Sequence, residues 1–177
     1  KLNDGNKNIV RLIIQLLTQL IEALGHGLKQ YTKLLAIPLV SNLADKQSLL
    51  RDDCINCIDK WITCYNYESI ACCFGQVIKN ENFELRSEVL KLLLKYKDKY
   101  KEQGFNSVMF FKEISMPFLL CLQDKSNTIR SQTEELIVIS LQYIQIKHYF
   151  NQVSEFKPAI ANTLTTILKR LQYENNI

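Results

Sequence analysis

The residues best able to do chemistry in this chain are six cysteines: Cys54, Cys57, Cys64, Cys72, Cys73 and Cys121. Cys54 and Cys57 form a C-x-x-C, and Cys64 lies two turns further along the same expected helix. That spacing would suit a zinc site or thiol–disulfide exchange. No strand is expected before the motif, however, and neither a matching second C-x-x-C pair nor a nearby histidine completes four ligands. Cysteine also packs as a small hydrophobe, so the expectation is core thiols with no metal and no cofactor. The adjacent carboxylates Asp52-Asp53 and Glu134-Glu135 point about 100° apart on a helix and are expected on solvated faces. His26 sits in a glycine-flanked turn and His148 near a helix boundary; neither has a partner pattern for catalysis, and both are expected at the surface. There is no phosphate loop or nucleophile motif, and no convergent acid–base set, so an enzyme is not expected.

The elements that carry these residues are helical. Among 177 residues, 47% are hydrophobic, with only 3 Pro and 5 Gly, and Leu, Ile, Lys, Gln and Glu abound. Such a composition favours long helices over a sheet. Helices are expected over about 6–24, 28–43 (with a bend at Pro38), 47–65, 68–78, 82–100, 107–122, 127–146 and 157–171, with a turn at Gly25-His26-Gly27 and a loop around Gly104. The most apolar stretch, Ile9 to Leu24, is interrupted by Arg11, Gln15, Thr18, Gln19 and Glu22, too polar for a membrane span. No stretch has the layout of a secretory signal, and a soluble intracellular protein is expected. The net charge of +4 is mild and forms no basic block, which argues against nucleic acid as the partner.

An internal echo organises the chain. Leu43-Ala44-Asp45 is followed by Leu50-Arg51, Leu122-Gln123-Asp124 by Ile129-Arg130, and Lys79-Asn80-Glu81-Asn82 by Leu85-Arg86. Leu2-Asn3-Asp4 is followed by Ile9, with Val10 where the others have Arg. Aligned on Ile9, Leu50, Leu85 and Ile129, the steps are 41, 35 and 44 residues. That period fits two antiparallel helices per repeat, an all-α solenoid of the HEAT or armadillo kind. Each loop joins the first helix of a pair to the second, and its Asp or Asn can satisfy free N–H groups of the new helix. Stacked pairs leave the loops along one edge as a binding strip. The first helix is apolar on nearly every face (Ile9, Val10, Leu12, Ile13, Ile14, Leu16, Leu17, Leu20, Ile21, Leu24), so its pairing helix is expected upstream.

These loops resemble those of a TOG domain, the HEAT-like tubulin-binding unit of microtubule polymerases, and most closely the fourth such domain of the animal proteins. The matching stretches are KLNDGNKNIV (1–10), ALGHGLKQYTKLLAIPLVSNLAD (23–45), the Trp61 region after LLRD, KNENFELRSEVL (79–90) and LQDKSNTIRSQ (122–132). The resemblance implies a flat paddle of six helix pairs whose loop edge grips αβ-tubulin or microtubule ends, in the cytoplasm at microtubules, spindle, centrosome or basal body. It implies that 1–177 is one array lacking its first repeat and half its second, with repeat pieces at about 1–24, 25–65, 66–102, 103–147 and 148–177. Transferred loop by loop, the contact candidates are Asn6, Lys7, Lys46, Lys79, Asn82, Lys125 and Asn127, followed in the second helices by Arg51, Arg86 and Arg130. The competing roles are an Arg–Asp ladder for the three arginines, helix capping for Asn82, and plain solvated charge for the lysines. Trp61 is expected in the core. The chain departs from the family at Phe83, where Pro is common, at Ser131, where a second basic residue is common, and at Lys46, displaced by one residue. The alternative is a HEAT scaffold that docks another protein in a cytoskeletal or ciliary assembly.

Overall fold

A computed structural model describes residues 2–65, 68–99 and 108–175, without the side chains of His26 and Asp98-Lys99. The loop expected around Gly104 and the exposure expected for His26 lie outside the described residues. Within them the chain forms nine α-helices and no strand: α1 (Lys7–Leu24), α2 (Thr32–Ser41), α3 (Ser48–Tyr65), α4 (Glu68–Ile78), α5 (Phe83–Lys99), α6 (Val108–Cys121), α7 (Asn127–Ser140), α8 (Ile146–Val153) and α9 (Pro158–Glu174). Two 3-10 turns, Gly25–Tyr31 and Asn42–Ala44, flank α2. No helix is long and apolar enough to cross a membrane among the described residues.

Helices alternate between two layers. In one, α1 packs on α3, α5 on α7 and α7 on α9; in the other, α2 packs on α4, α4 on α6 and α6 on α8. The core between them is built from helical periodicity. Val10, Ile14, Leu17 and Ile21 recur at three- and four-residue steps on α1, and Leu50, Cys54, Cys57, Ile58 and Trp61 answer them on α3. Burying each such side chain contributes about 1.5–3 kcal/mol. Trp61 is fully buried, as expected, and meets Tyr65 edge-on. Gly25 ends α1 with φ of 49°, a conformation that suits glycine, and its carbonyl accepts a hydrogen bond from the Tyr65 hydroxyl at the end of α3. On α4, a Cβ at Gly75 would meet Pro117 Cγ at 3.3 Å, so glycine there lets α4 and α6 cross closely.

The helix expected over 127–146 breaks. It ends at Ser140, the chain turns through Leu141 to Gln145, and Ile146 opens α8, a helix that the sequence expectation lacks. Side-chain packing explains the break. The turn buries Leu141 and Ile144, stacks Tyr143 on Phe111 with centroids 5.6 Å apart, and lets the Ser140 hydroxyl meet the buried Tyr149 hydroxyl at 2.7 Å. One continuous helix would have lost these tertiary contacts.

Candidate protein-binding edge

Four loops share one local geometry. In each, an Asp or Asn oxygen accepts from the backbone N–H two residues on: Asp4 from Asn6 (2.9 Å), Asp45 from Gln47 (3.0 Å), Asn80 from Asn82 (2.9 Å) and Asp124 from Ser126 (2.8 Å). These side-chain turns tighten the link between the helices of a pair and leave one residue at each tip: Gly5, Lys46, Glu81 and Lys125. Six residues after the acceptor, an arginine Nη1 donates back to the loop carbonyls. Arg51 reaches Asp45 O at 2.7 Å and Lys46 O at 3.2 Å; Arg86 reaches Asn80 O at 2.6 Å; Arg130 reaches Asp124 O at 2.6 Å and Lys125 O at 3.0 Å.

Neighbouring loops are tied across the edge. Arg86 Nη2 donates to Asp124 Oδ2 at 2.6 Å, an ion pair with side chains only 17% and 10% exposed. In the first loop Val10 cannot play that part, and Lys7 takes it over, 2.9 Å from Asp45 Oδ2. Burial works against the Asp45 carboxylate, but the Gln47 N–H, Lys7 and Arg51 outweigh it and hold its pKa below the ordinary value.

The ten sequence candidates therefore separate by partner. Asn6 caps α1 through Asn8 N–H at 3.1 Å, Asn82 accepts from Leu85 N–H at 3.2 Å, and Asn127 accepts from Arg130 Nη2 at 3.2 Å. Lys7, Arg51, Arg86 and Arg130 are engaged within the edge, as just described. The ladder expected of the arginines joins loops at Arg86; Arg51 and Arg130 bond within their own loops. Lys46, Lys79 and Lys125 are exposed and make no ion pair or hydrogen bond with their side chains among the described residues. Sequence reasoning missed two residues of this edge. Lys157 stands exposed at the start of α9, in the loop that joins α8 to α9, and Glu81 puts an acid at the tip where Lys46 and Lys125 stand in the sister loops. Aligning the acceptors Asp45, Asn80 and Asp124 alone would have exposed the Glu81 reversal.

The buried cysteines are poorly suited to thiolate chemistry. Burial pushes the thiol pKa values of Cys54, Cys73 and Cys121 up to about 12 and that of Cys57 to about 11, which disfavours the thiolate needed for redox attack or metal binding. Of the adjacent carboxylates, Asp52 and Glu135 are exposed as expected, while Asp53 is partly buried on Arg11 at 2.7 Å and Glu134 on Arg170 at 2.7 Å; Glu135 also pairs with Lys97 at 2.9 Å. His148 is half-buried rather than superficial, with Nε2 3.0 Å from Ser115 Oγ. Burial, then the Lys112 charge, lowers its pKa.

No family model matches the chain. Solved structures do. A crescerin structure, from work in which crescerin uses a TOG domain array to regulate microtubules in the primary cilium, superposes with a TM-score of 0.68 at 18% identity, covering 96% of this chain and 70% of that one. The MAST/Orbit N-terminal domain gives 0.66 at 14% identity, covering 97% and 76%. A structure from work on microtubule plus-end tracking by XMAP215, CLIP-170 and EB1 gives 0.60 at 14%, covering 98% and 70%. At these identities the likeness speaks to architecture, and the architecture of this chain is the HEAT-like helical array of the TOG domains.

Proposed function

We propose that this chain is a tubulin-binding module of a microtubule-associated protein, gripping αβ-tubulin through the row of loops and so promoting or regulating microtubule growth. The observation that carries it is the set of exposed lysines without a side-chain partner among the described residues, Lys46 and Lys125 at the tips of side-chain turns and Lys79 beside the third turn, along one edge. A surface ion pair contributes only about 0.2–1 kcal/mol, so the lysines act together, and a partner with an acidic face suits them. Lys157 extends the row. The fold likeness to proteins that act on microtubules supports tubulin as that partner. The Ile37-Pro38 step and the NENFELR loop support kinship with the fourth TOG domain of the animal proteins. Size-exclusion co-elution with unpolymerised αβ-tubulin tests it: a complex that weakens with salt is expected, and none at low salt would count against it.

Within that reading, α1 is the second helix of a pair whose first helix lies upstream. Its outer face exposes Leu12 (66%) and Leu16 (55%), and Leu16 with Leu34, Leu35 and Pro38 of α2 lines an apolar groove of about 710 Å3. The solved chains are also longer than the stretch this chain covers in them. Paired Leu12→Gln and Leu16→Gln substitutions should leave melting of the 177-residue chain unchanged and lower it in a chain carrying the upstream helix.

A second reading, a scaffold docking a different protein on the same edge, is favoured by Glu81. An acid at one loop tip interrupts the basic row. Pull-down from an extract in which tubulin is absent and one other protein dominates would support it.

A further inference from the structure

Between the third and fourth loops the edge opens into a groove of about 790 Å3. Phe83, the first residue of α5, and Leu120, near the end of α6, form its apolar walls and are 47% and 42% exposed. The local geometry does not require an aromatic there. Three residues after the turn acceptor, the sister loops place Lys7, Ser48 and Asn127, all polar. Phe83 therefore adds apolar surface to a binding edge rather than stability to a helix start.

The residues that line the groove leave unpaired charge of one sign, with the acid Glu81 outside the lining at the tip of the third loop. Lys79 and Lys125 stand at its rims, exposed and unpaired among the described residues. Its lining carboxylate, Asp124, has both oxygens engaged, by Arg86 and by the Ser126 N–H. Arg86 Nε, also in the lining, is buried without a hydrogen-bond partner. The charge left unpaired in the groove is cationic. Lysines on open surface attract weakly, but beside apolar walls that exclude water the same pairs strengthen. An aromatic ringed by polar groups is also the usual make-up of an interface hot spot.

Building on the loop-edge binding proposed above, we propose that this groove takes an acidic loop of the protein partner. One aliphatic or aromatic side chain of that loop seats between Phe83 and Leu120, and its carboxylates reach Lys79 and Lys125.

Two probes test it. In the first, the isotope-labelled chain is titrated by NMR with a short peptide of glutamates around one tryptophan, against an all-glutamate control. Shifts should cluster at Phe83, Leu120, Lys79 and Lys125. Phe83→Ser and Leu120→Ser, each checked for unchanged helicity, should each weaken binding about tenfold. Scattered shifts, or serine variants that bind like the parent, overturn it. In the second, the same variants and Lys46→Glu are compared for αβ-tubulin binding. Loss with both kinds of variant supports the groove. Loss with Lys46→Glu alone overturns the groove and leaves the lysine edge standing. A peptide that seats in the groove of a chain that ignores tubulin supports the groove and removes tubulin as the partner.

Discussion

The seam between α1 and α3 and the seam between α3 and α5 should be equivalent in a regular array, and they are not. Across the first, Lys7 pairs with Asp45, Arg11 and Gln15 with Asp53, and Lys60 with Glu22, over a continuous apolar interface. The second differs at its loop end, where the helices α3 and α5 meet through a turn. The 3-10 turn Asn42–Ala44 packs against both helices in place of close helix-to-helix packing, and a small cavity of about 180 Å3 opens among Leu43, Arg51, Asp52, Ile55, Glu88, Lys91, Leu92 and Lys95. One residue accounts for much of this. The third loop has Asn80 where the others have Asp, so Arg51 meets no carboxylate across the seam and bonds only to its own loop. Arg86, one pair later, holds its own loop and Asp124 together. A ladder that sets repeat register needs both its arginine and its acid, and the array is divided where the acid is missing.

The comparison can be broken most severely from the tight side. Trp61→Ala empties the core beneath the first seam and should cost about 3–5 kcal/mol in denaturant unfolding. Arg86→Ala removes one partner of a mostly buried ion pair and should cost about 2–3 kcal/mol, clearly more than Arg51→Ala at about 1 kcal/mol. Equal losses at the two arginines would erase the distinction between a loop arginine that has its acid and one that lacks it. Asn80→Asp supplies the missing acceptor and should add up to about 1 kcal/mol while slowing amide exchange along α3 and α5. The smallest effect comes from acid. The Asp45 pKa is depressed in the folded state, so its contribution is complete above the ordinary value of 3.8 and is lost as pH falls through the lower folded value. Asp45→Asn should flatten stability over that acidic window, as measured by thermal melts across pH.

Much of this was legible in the chain, because helical periodicity and the spaced acceptors Asp4, Asp45, Asn80 and Asp124 are local signals. The repeat, the buried Trp61 and the capping role of Asn82 follow from them. What stayed hidden depends on contacts between distant residues. The break at Ser140 exists because Tyr143 finds Phe111 and Ser140 finds Tyr149. The pairing of Lys7 with Asp45 compensates for Val10, a substitution visible in the sequence whose remedy is not. Asp53 and Glu134 looked solvated because their cations lie a full helix pair away. At the edge, residue types nominated ten candidates, but only the fold distinguishes lysines that are free from cations already engaged.

The most direct measurement is the affinity of the chain for unpolymerised αβ-tubulin across a salt series, for the parent and for Lys46→Glu with Lys125→Glu. The loop-edge account predicts binding that weakens steeply with salt, and a double variant that loses about tenfold or more at low salt with a shallower salt slope. Binding by the double variant equal to the parent at every salt concentration would contradict it.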